Sequence, residues 1–195
     1  SKGKEQAELF HNRLAKRARH LRRWPGKRGI TCFRIYDRDI PEIPLTVDRY
    51  EDYLHLVEFE RPHNRSRAEH ADWLDLMMQT AATTLGVTRT HVFLKRKQPQ
   101  RGKSQHPRLD DQRHEIKVQE GGLQFLVNLS DYIDTGLFLD HRSTRSMVQQ
   151  AAAGTRFLNL FGYTGAFTVY AASGGAASTT TVDLSPTYLD WSRRN

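Results

Sequence analysis

The stretch 157-FLNLFGYTGAFTVYAASGGA-176, followed by 181-TVDLS-185, decides the reading of this chain. Phe157, Leu158 and Leu160 make a short apolar run of the kind parallel strands show when both faces are buried. Gly162 and Gly165 let the backbone turn tightly and approach a ligand with no side chain in the way. A helix starting near Ala166 presents its free N–H groups to that crevice. Gly174-Gly175 stops the helix, and 178-STTTVD-183 reads as the next strand, ending on an acid. In doubly wound sheets an acid at this position accepts the hydroxyls of a ribose. The expectation is therefore an α/β fold with a nucleotide-type crevice.

The turn itself narrows the ligand. A pyrophosphate loop needs G-x-G-x-x-G, and Gly162-Tyr163-Thr164-Gly165 does not supply it. There is no G-x-x-x-x-G-K-[ST] loop either. A ligand carrying adenosine and ribose without phosphates fits better, and S-adenosylmethionine is the common one. A tight turn with only a structural role remains the alternative for the glycines taken alone.

Outward from this core, 5-EQAELFHNRLAKRARHLRRW-24 reads as a helix, with Leu9, Phe10, Leu14, Ala18 and Leu21 at helical spacing and Pro25-Gly26 after it. Strand-like runs follow at 31–39 and 45–60, the second broken near 48–52. Ser66 and Gly86 read as the caps of a helix whose apolar face is Trp73, Leu76, Met77 and Ala81. Residues 91–97 form another strand, and 114-HEIKVQEGGLQFLVNL-129 is a hairpin turning at Gly121-Gly122. A helix is expected after 130-SDYIDTGLFLDHR-142, running to about Gln150. The composition becomes glycine- and alanine-rich near residue 130, where a domain boundary is expected.

The 195 residues carry a formal charge of +8, unevenly spread. Residues 1–30 hold ten Lys/Arg against two Glu, and 95-KRKQPQRGKSQHPR-108 holds six Lys/Arg and no acid. Segregated positive charge favours phosphate polyanions, so nucleic acid is the leading partner class, with solvated basic arms as the bland alternative. The single cysteine, Cys32, excludes an internal disulfide and a cysteine-based zinc site, and its strand context reads as a buried inert thiol. No apolar run is long enough to span a membrane, and no signal peptide is evident; the compartment expected is the cytoplasm.

The string 157–195, with 130-SDYIDTGLFLDHR-142 before it, resembles the cofactor-binding start of class I S-adenosylmethionine-dependent methyltransferases that modify large-subunit ribosomal RNA. The N-terminal helix, 34-RIYDRDIPEIPLTVDRY-50 and 94-LKRKQPQRGKSQ-105 extend the likeness to the C-terminal, N7-guanine half of the bifunctional bacterial 23S rRNA guanine methyltransferases, whose other half makes N2-methylguanine. The resemblance implies that Asn159, Phe161, Tyr163, Thr164 and Gly165 surround the methionine and adenosine moieties. It places Asp183 on the ribose, Leu184 or Ser185 beside the adenine, and Phe138, Asp140 and Arg142 along the amino-acid end. Each has a plainer reading: Asp140 as the N-cap of the next helix, Arg142 as an ion-pair partner, His141 as a solvated ring. From the charge of the 95–108 loop, the expected RNA contacts are Lys95, Arg96, Lys97, Arg101 and Lys103.

The expected organisation is a basic N-terminal helix and linker (1–30), an α+β domain of RNA-binding type (31–129) and the N-terminal part of a Rossmann-like methyltransferase sheet (130–195), truncated after its second strand. Methyltransferases of this kind grip the acceptor base with a [DNS]-P-P-[FYW] loop after the fourth strand, and this sequence has no Pro-Pro dipeptide. The chain therefore reads as a fragment without its acceptor site, inactive by itself, with an open sheet edge inviting self-association. Catalytic residues are expected beyond Asn195. Two other readings stay open, a non-catalytic RNA-binding module and a cytosine-C5 rRNA methyltransferase. A nicotinamide enzyme is disfavoured by the missing third glycine.

Overall fold

The computed structural model describes residues 2–97 and 113–195. The chain divides into two compact units, residues 1–27 with 31–107 and residues 28–30 with 108–195.

In the first unit, α1 (Lys2–Leu21) and a single turn, α2 (Trp24–Lys27), precede a sheet of β1 (Cys32–Asp37), β2 (Leu45–Tyr50), β3 (Tyr53–Phe59) and β4 (Val92–Lys97). The order is β1-β2-β3-β4; the first three run antiparallel, and β4 lies parallel to β3. That parallel pairing requires a crossover, supplied by α3 (Arg67–Leu85). Ser66 and Glu69 close a reciprocal capping box at its start, and Gly86 ends it at φ 65°. Phe10 and Leu14 of α1 pack with Trp73, Met77 and Ala81 of α3 on Leu45, Val47, Leu54 and Leu56 of the sheet. The N-terminal helix thus belongs to this core and is not a separate arm. Leu9 departs from the expected apolar stripe and faces solvent. Cys32 is fully buried, as its strand context implied.

The second unit begins with the hairpin β5 (Glu115–Glu120) and β6 (Leu123–Asn128), turning at Gly121-Gly122. A 3-10 turn, Leu139–His141, leads into α4 (Arg142–Ala151); β7 (Arg156–Leu160), α5 (Ala166–Ser173), β8 (Ser178–Val182) and α6 (Pro186–Arg194) follow. The hairpin falls with this unit because α6 completes its edge. Trp191 Nε1 donates to the Leu126 carbonyl at 3.1 Å, Asn195 Oδ1 accepts the Leu126 N–H at 2.9 Å, and Arg194 grips Glu115. The hairpin, expected on the other side of a boundary near 130, thus groups with the residues after it.

Strands β7 and β8 pair in parallel, with Asn159 opposite Thr181 and Leu160 opposite Val182. Burial on both faces does not hold here: Leu158 is 56% and Leu160 57% exposed, because α5 covers only the face that carries Asn159 and Thr181. Among the described residues no helix is long and apolar enough to cross a membrane.

Candidate functional site

The turn between β7 and α5 bends the backbone at every second residue. Phe161, Tyr163 and Gly165 adopt φ 55°, 51° and 76°. Left-handed conformations of non-glycine residues store about 1–3 kcal/mol each and persist where the surroundings over-determine them. Here the Gly162 N–H donates to the Val182 carbonyl at 2.9 Å and the Gly165 N–H to the Gly162 carbonyl at 2.8 Å. Both glycines are needed for space as well. A Cβ on Gly162 would collide with Thr181, and one on Gly165 with Ser192 of α6.

Asp183, the first residue after β8, is held by both carboxylate oxygens. Oδ2 accepts the Tyr163 N–H and Oδ1 the Ser185 N–H, each at 2.9 Å. The two bonds fix the carboxylate plane, and each oxygen keeps a lone pair for a further donor. Ser185 then caps α6, its Oγ accepting the Tyr188 N–H at 3.3 Å, with Pro186 at the first helical position. Leu184 and Phe161 stand beyond the ends of the two strands, 95% and 86% exposed. Open α/β sheets bind their ligands outside the carboxyl ends of the strands.

The segment before α4 is fastened to this turn. Thr164, almost fully buried, donates its hydroxyl to the Gly136 carbonyl at 2.5 Å, and the Phe138 ring lies 5.4 Å from that of Tyr163. Tyr163 packs edge-on to Tyr188 at 4.6 Å, and burial, aided by the negative and phenolic groups around it, pushes its hydroxyl pKa up. Gly136, at φ 100°, leaves room for Trp191 that any Cβ would take.

Beneath this segment lies a charged cluster that sequence reading missed. Glu120, fully buried at the hairpin turn, accepts Arg145 Nε and Nη2 at 2.9 and 2.7 Å and Arg142 Nε at 2.8 Å. Tyr170 OH donates to the same carboxylate at 3.0 Å, and Arg145 Nη1 donates to the Phe138 carbonyl at 2.8 Å. The cluster fixes the backbone over the turn. Its only local signal is the spacing of Arg142 and Arg145 on one helix face; nothing near Glu120 in the chain announces it.

The sequence-derived residues separate accordingly. Phe138, Asp140, Phe161, Tyr163, Thr164, Gly165, Asp183 and Leu184 gather around the strand ends, in the turn and the segments on either side of it. Asp140 is not the helix N-cap; that position falls to His141, without a side-chain bond. Asp140 is exposed and, among the described residues, makes no hydrogen bond or ion pair. Arg142 Nε donates to Glu120, as its plainer ion-pair reading had it. The Asn159 amide faces α5, donating to Thr168 Oγ1 at 3.0 Å, which meets Thr181 Oγ1 at 2.7 Å. Ser185 serves as a cap.

Of the basic residues, Lys95, Arg96 and Lys97 end β4 in the first unit. Arg96 lies 3.2 Å from the buried Glu58 carboxylate, and Lys97 stands over the Phe59 ring. Arg101 and Lys103 lie outside the described residues.

The turn, with its doubly anchored acid, an unpartnered exposed acid and bare apolar side chains at the strand ends, fits a nucleoside that carries an amino-acid tail better than a pyrophosphate. Sequence comparison agrees. Residues 32–195 match the family model for S-adenosylmethionine-dependent methyltransferases. The chain is 48% identical over 186 residues to ribosomal RNA large subunit methyltransferase K of Neisseria meningitidis serogroup B, covering 95% of this chain and 52% of that protein. It is 49% identical over 195 residues to ribosomal RNA large subunit methyltransferase K/L of Stutzerimonas stutzeri, covering 98% of this chain and 26% of that protein. The chain thus spans from about a quarter to about half the length of these relatives. Among solved structures, one described as a SAM-dependent methyltransferase of Streptococcus mutans aligns at TM-score 0.73 and 23% identity, covering 96% of this chain and 48% of its own. Another, the SAH complex of the methyltransferase SMU.776, aligns at TM-score 0.72 and 24% identity, over 96% of this chain and 47% of its own. At such identities these two establish a shared fold. The chain belongs to the S-adenosylmethionine-dependent methyltransferase family.

Proposed function

We propose that this chain carries the methyl-donor site of a large-subunit rRNA methyltransferase whose acceptor is guanine N7 of 23S rRNA. The observation that carries the reading is the doubly anchored Asp183 beside the turn at 161–165. Asp183 would take the ribose hydroxyls, with Leu184 and Phe161 against the adenine. The exposed acid of Asp140 would face the cofactor's ammonium, beside Phe138. When bound, S-adenosylmethionine supplies an electrophilic methyl group for in-line displacement. The protein's part is to hold the donor, orient it and exclude water. Guanine N7 already has a lone pair, so this acceptor needs no general base.

The identity to the rRNA methyltransferases K and K/L supports RNA as substrate, and the basic end of β4 supports contact with phosphate. Cys32, fully buried on β1, is not placed to serve as the nucleophilic thiol that a cytosine-C5 transfer needs.

Acting alone, the chain is expected to hold the cofactor weakly, because the β7–β8 face bearing Leu158, Leu160 and Val182 is open. The same face would drive self-association at high concentration, visible by sedimentation. Calorimetry with S-adenosylmethionine and methyl transfer to 23S rRNA, followed by nucleoside mass spectrometry, test the proposal. N2-methylguanine without N7-methylguanine would overturn the acceptor assignment.

A further inference from the structure

We propose that a crevice in the first unit, remote in sequence from the cofactor turn, binds one unstacked RNA nucleotide by stacking its base on His63. It lies between the start of α1, the loop before β2, the end of β3 and the segment leading into α3, with a volume of about 470 Å³. That is the size range of small-molecule sites.

A column of flat groups forms one side of it. His63 stacks on His70 at 4.1 Å with 24° between planes, and His70 on Trp73 at 5.6 Å with 17°. The Arg65 guanidinium lies 4.3 Å from the Trp73 ring centroid. His70 and Trp73 are buried, whereas His63 is exposed, so the column ends in a free aromatic face. Single-stranded RNA is recognised by stacking its bases on such faces.

The polar groups behind the column hold it in place. Glu58 is buried, and its Oε1 lies 2.6 Å from His70 Nε2. That contact fixes the orientation of the His70 ring on which His63 stacks. Glu58 Oε2 meets Arg96 Nε at 3.2 Å, which ties the column to the end of β4. Lys2 and Arg61, exposed at the rim, suit a phosphate.

This inference rests on the reading that the chain meets RNA, and the test separates the two. Labelled oligoadenylate, oligocytidylate and oligouridylate are titrated against the chain by fluorescence anisotropy, alongside His63→Ala and Arg61→Ala, both at exposed positions. All three should bind, and His63→Ala should weaken each by roughly 5- to 100-fold. The nitrogen resonances of the His70 ring should shift when oligoadenylate is added. Unchanged affinity in both variants, with His70 unmoved, overturns the crevice and leaves RNA binding intact. Adenosine monophosphate binding as tightly as oligoadenylate assigns the site to free nucleotide and overturns the RNA source. Failure of the parent chain to bind any oligonucleotide or 23S rRNA overturns the underlying reading, and this proposal with it.

Discussion

The Asp183 carboxylate accepts the Tyr163 N–H at 2.9 Å, so the acid after β8 determines the shape of the turn after β7. Its other oxygen holds Ser185, where α6 begins. Asp183→Ala strands both N–H groups and should cost about 1–3 kcal/mol in urea denaturation. Asp183→Asn, which keeps one acceptor oxygen, should cost less. Both should lose S-adenosylmethionine binding by calorimetry. Full affinity in a folded Asp183→Ala would remove the acid from the cofactor site.

Gly165 has two separable reasons to be glycine, its φ of 76° and the nearness of Ser192. Gly165→Ala should destabilise the second unit by at least about 1 kcal/mol from conformation alone. The collision adds to that. Ser192→Gly in the same chain should recover part of the loss, since it removes the hydroxyl and leaves the backbone strain. Thermal denaturation of the two single variants and the double variant measures the coupling. A purely additive result would mean that the Ser192 contact is not felt.

The elements that sequence made legible are those with local signals. Ser66 and Glu69 announce the start of α3 three residues apart, Gly121-Gly122 announces the hairpin, and Gly162 and Gly165 announce the turn. What stayed hidden depends on partners distant in the chain. Glu120 meets Arg145 across 25 residues, and Leu126 meets Asn195 across 69. No periodicity encodes such pairs, so the ion-pair reading of Arg142 came without its partner, Glu120. Leu158 and Leu160 read as doubly buried for a similar reason. Period and hydrophobicity report what a strand prefers, and coverage depends on which helices pack against it.

Glu120 should be among the most sensitive positions of the second unit. Its removal leaves Arg145, 1% exposed, without its carboxylate. Breaking one side of a buried ion pair typically costs about 3–5 kcal/mol, whereas replacing both by apolar groups is far milder. Glu120→Leu alone should therefore unfold the second unit readily, and Glu120→Leu with Arg145→Met should recover much of the loss. Urea midpoints decide this. If the double variant were no better than the single, Arg145 would have another carboxylate or carbonyl able to hold it.

The basic residues at the end of β4 should not act alike. Lys97→Gln should weaken binding to rRNA and lower the salt slope by about one unit if it meets a phosphate. Arg96 is engaged with Glu58, so Arg96→Gln should mainly reduce stability. Affinities across a salt series, with urea midpoints for both variants, distinguish the two. An unchanged slope in Lys97→Gln would place that residue on a merely solvated face.

His55 gives the first unit a predictable weakness in acid. It is buried on β3, its Nε2 has no partner, and burial, followed by the charges of Lys95 and Arg34, lowers its pKa to about 3. Asp48, opposite it on β2, offers little help because Arg34 grips that carboxylate at 2.7 and 3.0 Å. The unfolded chain takes up the proton near pH 6.5 and the folded chain does not. Stability is therefore complete above pH 6.5 and falls by about 1.4 kcal/mol per unit below it, until the folded pKa near 3 is reached. The Glu115 carboxylate, held low chiefly by its hydrogen bond with Arg194, contributes its own loss only below its ordinary 4.5. The slope between pH 6.5 and 5 is thus assigned to His55. Urea denaturation at pH 7 and pH 5 should differ by about 2 kcal/mol. His55→Phe, near-isosteric and unable to titrate, should flatten that difference; an undiminished slope would move the acid sensitivity elsewhere.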